Sequence, residues 1–472
     1  MKNRPYLFYD TTESICSICL MKISASIVIQ DNKVFMYKMC PAHGTEKVLI
    51  ADDADFYRLG REVYIKPPEM PQKFSTSFKY GCPYDCGLCS EHMQHSCLTI
   101  LEINEKCNLK CPICYADSGP EKNIHRDLAT ICKMLDAIVD AEGEPDVVQI
   151  SGGEPTLHPD FFTILKEAKK RPIRHLMINT NGIKLAQDKD FVRQLAEFKP
   201  GLEIYLQFDS LDDDVLLQIR AAKLAEIHNR ALENLNYYDI STTLVTTLVK
   251  NVNDHQIGDI LEFAAKQSCV RGVTFQPLEL AGRVSSFGLE NRITLSEVRR
   301  KICEQSNLFT LQDIIPVPCN PDALAMGYGL KLNQEILPLT RYVNPEILLS
   351  GKKNTIVFEN DITLKEHIFK LFATNLSPEG MAGNLSSLMC CLPDVISPNL
   401  SYKNVFRVLI MSFMDVINFD VRAAKKSCVH IVQPDGKLIP FETCNIFYRG
   451  DQSKLNEIRQ KIATYHGLEE LK

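Results

Sequence analysis

From residue 98 onward the chain alternates short apolar runs with stretches of helical spacing. LTILEIN (98–104), VVQIS (147–151), HLMIN (175–179), EIYLQFD (203–209), TTLVTTLV (242–249) and GVTFQP (272–277) are six such runs. Their length and near-continuous apolarity suit strands buried on both faces. Segments such as RDLATICKMLDAIVDA (126–141) and DFVRQLAEF (190–198) lie between most of them and carry apolar residues on one helical face. This βα alternation predicts a parallel sheet with right-handed crossovers. Six units fall short of the eight of a closed barrel, so the expected α/β fold is a partial, TIM-like (β/α)6 barrel over residues 99–320.

The flanks read differently. SASIVIQ (24–30) and KVFMYKM (33–39) alternate as two strands around the turn signal Asp31-Asn32, within a small β-rich module over 1–75 that ends in the linker-like Pro67-Pro68 and Pro71. A short cysteine-bearing segment follows over 76–98. The C-terminal part, 321–472, loses the regular alternation and reads as an α+β domain with helices near 363–375 and 402–419. The run NVFRVLIMSFMDVINF (404–419) is apolar on more than one face, which suits a buried helix or the wall of an apolar substrate tunnel. The chain closes on CVHIVQPDGKLIPFETCNIFYR (428–449), a hairpin pattern turning at Asp435-Gly436.

Composition narrows the class. With 472 residues, 45% hydrophobic and 24% charged, the chain is an ordinary folded protein of about three domains. A net charge of -6 provides no field for nucleic acid, and no run is long enough to span a bilayer. The start, MKNRPYLFYD, has no apolar core of a secretory signal, so a cytoplasmic protein is expected. In that reducing setting, 18 cysteines point to metal rather than disulfides. Ten of them precede residue 115, at spacings that a hydrophobic core does not require.

Cys107-Asn-Leu-Lys-Cys111-Pro-Ile-Cys114 follows the first barrel strand directly. Three thiolates so spaced can hold three corners of a [4Fe–4S] cube and leave the fourth iron open, or form part of a zinc knuckle whose fourth ligand lies elsewhere. Gly152-Gly153-Glu154-Pro155 follows the second strand, at the same end of the sheet, with glycines that let backbone approach a ligand and a carboxylate that can accept from an ammonium. Cys82, Cys86, Cys89 and Cys97 supply four thiolates, enough to close an auxiliary [4Fe–4S] cluster or a zinc site. His92 and His95 in that loop read as hydrogen-bonding or solvent-facing. Cys16, Cys19, Cys40 and His43 fit one tetrahedral zinc or rubredoxin-like iron, without which so thin a module would scarcely fold. Cys319, Cys390, Cys391, Cys428 and Cys444 are candidates for a second auxiliary cluster, four of the five sufficing. Cys132, Cys269 and Cys303 read as core cysteines.

CNLKCPICY followed by SGGEP resembles the radical S-adenosylmethionine (SAM) superfamily. The resemblance implies a partial (β/α)6 barrel in which Cys107, Cys111 and Cys114 hold a catalytic [4Fe–4S] cluster whose open iron takes the amino and carboxylate groups of SAM. It further implies that Gly152, Gly153 and Glu154 position the methionine amine, with Asn179, Thr180, Asn181, Gln207, Asp209 and Gln276 as candidates to contact ribose and carboxylate. Ile113 departs from the aromatic residue common before the third cysteine. CPYDCGLCSEHMQHSC, SGGEPTLHPD, LVKNVNDHQIGDI, FQPLELAGR, VPC and VQPDGKLIPFETCNIFYR span nearly the whole chain. Together they resemble the multi-cluster branch that includes archaeal tetraether lipid synthase and hydroxymethylpterin methylases. Asn251, where the branch usually has Gly, and IRAAKL (219–224), in place of a more basic stretch, are departures that bear on substrate.

The resemblance implies reductive cleavage of SAM to a 5′-deoxyadenosyl radical that activates a C–H bond for C–C bond formation, by lipid-chain coupling or by C-methylation of a pterin-like or other small metabolite. One or two auxiliary [4Fe–4S] clusters and an electron donor such as ferredoxin or flavodoxin belong to the same expectation. The alternatives are an Fe–S or zinc scaffold that never cleaves SAM, and a zinc-dependent nucleic-acid binder, which the acidic balance disfavours.

Overall fold

The computed structural model describes residues 5–64, 69–332, 335–341 and 404–467. Pro67-Pro68, the helix expected at 363–375, Cys390 and Cys391 lie outside the described residues.

Four antiparallel strands, β1 (Leu7–Ile15), β2 (Lys22–Gln30), β3 (Lys33–Cys40) and β4 (Gly44–Ala51), form an N-terminal meander in the order β1-β2-β3-β4. The hairpin at Asp31-Asn32 is the predicted one, and both residues take positive φ (51° and 55°), the geometry of a tight two-residue turn that matches strand twist. Its inward positions Ile27, Val34, Met36 and Val48 are buried. The module is pinned to the barrel by Asp52, whose carboxylate accepts from the hydroxyls of Thr294 (3.0 Å) and Ser296 (2.5 Å).

The other strands are β5 (Leu98–Glu102), β6 (Ile113–Cys114), β7 (Val147–Ser151), β8 (His175–Thr180), β9 (Leu202–Gln207), β10 (Thr242–Leu248), β11 (Val270–Pro277), β12 (Arg283–Val284), β13 (Ile315–Pro316), β14 (Leu324–Leu332), β15 (Glu335–Pro338), β16 (Val405–Met411), β17 (Val429–Val432) and β18 (Leu438–Pro440). The six runs read from sequence are β5, β7, β8, β9, β10 and β11, paired parallel in that order. Helices cover their outer side. Helix Leu128–Glu142, capped by the Asp127 carboxylate accepting from the Thr130 N–H at 2.8 Å, buries Ile131, Met134, Leu135 and Ile138 against the sheet. Truncating such a residue, Leu135→Ala for example, costs about 2–5 kcal/mol.

The C-terminal part extends this sheet at both margins. β16 runs parallel to β11, with Gly272 opposite Arg407, and β17 runs parallel to β5, with Leu98 opposite Val429. β13, β14 and β15 continue antiparallel beyond β16, and β18 continues antiparallel beyond β17. Asp435-Gly436 forms the β17–β18 turn, as expected. The helix expected over 402–419 is instead the strand β16 followed by turns. Its residues Phe406–Met411 are all buried because β16 is covered on both faces, a setting in which an apolar run carries no period that separates strand from helix.

At the strands' N-terminal ends the Glu203 carboxylate accepts from Arg407 (2.6 Å), approaches His175 Nε2 at 3.0 Å and accepts from the Thr243 hydroxyl. This buried network joins β8, β9, β10 and β16, and Arg407 together with His175 holds the Glu203 carboxyl well below its ordinary range despite its burial.

Candidate active site and metal centres

One cavity opens at the C-terminal ends of the parallel strands. Cys107, Cys111 and Cys114 line it together with Gly152, Gly153, Glu154, Asn179, Thr180, Asn181, Gln207 and Gln276. The cysteine loop is fixed from two sides. β12 pairs antiparallel with β6, placing Arg283 opposite Cys114, and Arg283 donates to the Cys111 carbonyl (2.7 Å), the Asp117 carboxylate (2.8 Å) and the Ser118 carbonyl (2.6 Å). Gly282, at φ 64°, lets this strap approach, since a Cβ there would collide with the Tyr115 carbonyl. Within the loop, the N–H of Leu109 donates to Cys107 Sγ and that of Ser118 to Cys114 Sγ, each at 3.4 Å. Ile113 lines the cavity and packs in an apolar cluster with Val215, Ile219, Val249 and Leu278.

The glycine pair packs closely on neighbouring backbone. A Cβ on Gly152 would strike the Asn104 carbonyl and one on Gly153 the Lys106 carbonyl, so the glycines let the β7 loop pack on the backbone entering the cysteine loop. Glu154 is buried, and its carboxylate accepts from the Thr156 N–H (3.2 Å) and hydroxyl (2.6 Å), the Thr180 hydroxyl (2.7 Å) and the Asn181 N–H (2.9 Å). It therefore acts as a bracket between the loops after β7 and β8. Burial still raises its pKa, although these bonds favour the ionised form. Asn181 in turn donates from Nδ2 to the Asn108 side-chain oxygen at 2.7 Å, reaching back to the cysteine loop.

A polar chain crosses the cavity floor. The Tyr115 hydroxyl meets Ser151 Oγ at 3.2 Å, Asn179 Nδ2 donates to that Oγ at 3.2 Å, Gln207 Nε2 donates to Asn179 Oδ1 at 2.8 Å, and Arg220 donates to Gln207 Oε1 at 2.9 Å. Asp209 stands behind this chain rather than on the cavity wall. Its carboxylate accepts from Arg220 Nε (2.5 Å) and from the Thr247 N–H (2.8 Å), so it acts through Arg220. Arg220 also faces Cys111, where its charge lowers the thiol pKa while burial raises it further. Burial pushes the Cys107 thiol up to about 12, so a bare thiol there stays protonated, and only a bound metal would make it a thiolate. Gln276 donates to the Tyr205 hydroxyl at 3.2 Å.

Sequence reasoning did not assign several lining residues: Tyr115, Gln149, Arg220, Glu279, Phe413 and Phe441. Glu279 lies inside FQPLELAGR, a stretch that carried the resemblance, and Arg220 inside IRAAKL, the stretch that departs from it; these were the available signals. Phe413 lies in the apolar run 404–419 and Phe441 in the closing VQPDGKLIPFETCNIFYR, stretches that were singled out without either residue being assigned to the site.

The ribbon set closes as one ion would require. The ligand atoms of Cys16, Cys19, Cys40 and His43 all lie within 4.8 Å of one another, with Cys16 Sγ and Cys40 Sγ at 3.5 and 3.4 Å from His43 Nδ1 and Cys19 Sγ at 3.9 Å from Cys40 Sγ. A tetrahedral zinc with Zn–S near 2.3 Å needs edges of about 3.8 Å between its sulfurs.

The set Cys82, Cys86, Cys89 and Cys97 is regrouped. Cys97 lies with Cys319 and Cys428, their sulfurs within 4.8 Å of one another. The cause is strand pairing: Leu98 and Val429 are register partners, so the cysteines that precede them become neighbours, and the Leu98 N–H donates to the Cys428 carbonyl at 3.1 Å. Cys86 is held elsewhere, its sulfur accepting from the Thr443 hydroxyl at 2.9 Å. Cys444 stands apart, accepting from Gln433 Nε2 at 3.5 Å. His92 and His95 are both buried in hydrogen-bond networks rather than solvent-facing, His92 against the Ser427 carbonyl (2.9 Å) and His95 against Glu142 (3.0 Å).

A six-stranded parallel barrel core with a cysteine triad, a glycine pair and strand-end amides converging on one cavity defines an enzyme of the radical SAM class, and the chain belongs to the radical SAM superfamily, which it matches over residues 101–264. Residues 8–52 match the HMPTM N-terminal zinc ribbon domain. The chain is 30% identical to 7,8-dihydro-6-hydroxymethylpterin dimethyltransferase of Methanocaldococcus jannaschii, over 93% of this chain and 94% of that protein. It is also 26% identical to GTP 3',8-cyclase of Nautilia profundicola, over 43% of this chain and 63% of that one. Among solved structures it is similar to Streptococcus suis SuiB bound to S-adenosylmethionine, with 18% identity, a TM-score of 0.35, and 44% of this chain and 46% of that one covered. Membership brings a [4Fe–4S] cluster and SAM as cofactors; the ribbon suits zinc, and the further cysteine groups suit auxiliary clusters. No helix among the described residues is long and apolar enough to cross a membrane.

Proposed function

We propose that the protein is a radical SAM methylase of a pterin-like substrate. The observation that carries this reading is the near full-length similarity to a pterin dimethyltransferase, ribbon included. The apolar run 404–419, read as a buried helix or a tunnel wall, is spent mostly on the strand β16, and only Met411 at its end and Phe413 beyond it line the cavity, which gives no long apolar tunnel for a lipid chain.

In this reading Cys107, Cys111 and Cys114 hold the catalytic cluster. The bound cluster and SAM supply a one-electron cleavage that yields a carbon radical able to take hydrogen from an unactivated C–H bond. The residues of the chain orient and enclose. Gly152 and Gly153 offer backbone at the cavity wall for the methionine end of SAM, and Glu154 sets their position through its four donors rather than by a free carboxylate. Asn179, Gln207 and Arg220 present a fixed polar floor for ribose and carboxylate, with Asp209 as the positioning residue behind Arg220. Thr180 and Asn181 belong to the Glu154 bracket, and Gln276 lies at the far margin beside Tyr205. Cys97, Cys319 and Cys428 form one auxiliary centre, and Cys82, Cys86 and Cys89 belong to another. A low-potential donor of the ferredoxin or flavodoxin type delivers the electron.

Anaerobic reconstitution with iron and sulfide tests the reading. The protein is expected to form 5′-deoxyadenosine from SAM and dithionite, faster with 7,8-dihydro-6-hydroxymethylpterin present, and Cys111→Ala is expected to form none. A colourless, zinc-filled loop, or a Cys111→Ala variant as active as the parent, rejects it.

A further inference from the structure

Among the polar side chains around the cavity, Glu279 stands out because its chemistry is unspent. It lies two residues beyond the end of β11 and lines the cavity with Phe413 and Phe441, on the side away from the glycine pair. Its Oε1 is buried and makes no hydrogen bond of ordinary geometry; the donor that faces the carboxyl is the Asn445 amide, whose nitrogen makes no bond of ordinary geometry either. Glu154, on the opposite side, has four donors for the same chemical group. A buried carboxyl oxygen without a well-formed hydrogen bond forfeits hydration, and such an atom in a native fold calls for an explanation.

No neighbouring charge provides one. Asp415 accepts from the Leu280 N–H (3.1 Å) and pairs with Arg292 (3.3 Å). Glu442 accepts from the Ser427 hydroxyl at 2.9 Å, and Arg449, the nearest cation, pairs with Glu102 at 2.7 Å. Burial together with the two acids pushes the Glu279 carboxyl well above its ordinary range, against the pull of the Asn445 amide and Arg449, so a ligand that brings N–H donors is what would hold it as a carboxylate. The adjoining wall is aromatic: Phe413 and Phe441 have ring centroids 4.0 Å apart, and Tyr115 lies 4.9 Å from Phe441. Flat apolar faces beside an unpaired carboxyl are complementary to a flat ring that carries N–H groups on its edge, because the ring stacks while a carboxyl accepts two adjacent N–H bonds in its own plane.

We propose that Glu279 recognises the N–H edge of a planar nitrogen heterocycle seated against Phe413 and Phe441, and so selects the ring substrate. The inference deepens the proposed pterin reading and rests on it. SAM and substrate then occupy separate halves of the cavity, the first over the loops after β5, β7 and β8, the second over the ends of β11 and β16. Glu279 is a substrate-recognising residue here and takes no part in holding the cluster.

The test uses the reconstituted holoenzyme with 7,8-dihydro-6-hydroxymethylpterin as probe. Glu279→Gln is expected to raise the half-saturating pterin concentration by about tenfold or more, as when a charged hydrogen-bond partner is lost, while half-saturating SAM stays within about twofold; Glu279→Asp should fall between parent and Gln. A pterin analogue without its exocyclic amino group should bind more weakly to the parent and no more weakly still to Glu279→Gln. A parent enzyme that responds to pterin and a Glu279→Gln variant that matches it overturn the inference alone. Equal loss of pterin and SAM saturation also overturns it, since that marks a structural residue. A parent that forms no pterin-dependent 5′-deoxyadenosine overturns the functional reading and the inference together.

Discussion

Arg283 Nε donates to the backbone carbonyl of Cys111 at 2.7 Å, so the segment leaving β11 holds the loop that follows β5. The contact is one of three that this guanidinium makes to residues 111–118, and its planar fork is what lets a single side chain reach them all. Arg283→Ala is expected to loosen the loop by about 2–3 kcal/mol, at roughly 1 kcal/mol for each bond lost. Iron retained at the loop and the rate of 5′-deoxyadenosine formation should both fall, and Arg283→Lys, a point charge, should not restore them. Full cluster occupancy in Arg283→Ala would show that the strap is dispensable.

The regrouped cysteines predict shared metal loss. Cys319→Ser and Cys428→Ser should each remove the same centre, because their sulfurs lie together with that of Cys97. Cys86→Ser should remove a different one. Iron counts and spectra of single and double variants measure this: Cys319→Ser with Cys428→Ser should lose no more iron than either alone, whereas Cys319→Ser with Cys86→Ser should lose more. Additive losses in the first pair would dissolve the grouping.

Cys40→Ser should release the ribbon's metal while leaving iron at the barrel unchanged. Without its ion the four-stranded meander has only a small core around Ile27, Val34 and Met36, so amide exchange in β1–β4 should rise toward that of an unfolded segment. The contents of zinc and iron, measured together with exchange, decide it. A ribbon that stays protected without metal would contradict the expectation.

Acid stability should depend on Glu203. Its folded pKa lies below the ordinary value of 4.5 because Arg407 and His175 stabilise the carboxylate. Between the folded and unfolded values the unfolded chain binds the extra proton, so the stability from this network is complete above about pH 5 and is lost as pH falls. Glu203→Gln should be less stable near neutrality and show a shallower decline on acidification, seen by thermal melts across that range. A parent and variant with parallel acid limbs would exclude Glu203 as the source.

Local pattern made the barrel core and its chemistry legible. The six parallel strands were readable because each is short, apolar and bounded by turns, and the cysteine loop and glycine pair because their spacing lies within single segments. The 404–419 run was misread as helix because a strand buried on both faces shows no period. Gly152 and Gly153 were identified from their motif, but their close packing was not, since the backbone they pack against comes from the loop after β5.

By itself the sequence determined what depends on neighbours along the chain: the six strands of the core, the Asp31-Asn32 and Asp435-Gly436 turns, the grouping of Cys16, Cys19, Cys40 and His43, and the motif of Cys107, Cys111 and Cys114. Only the tertiary structure decided that Cys97 lies with Cys319 and Cys428, that Asp209 pairs with Arg220, and that Glu279 lines the cavity. Those relationships arise where distant segments meet across the sheet, and the register that aligns β17 with β5 and β16 with β11 is set by packing and hydrogen bonding over the whole fold, not by any local run of residues.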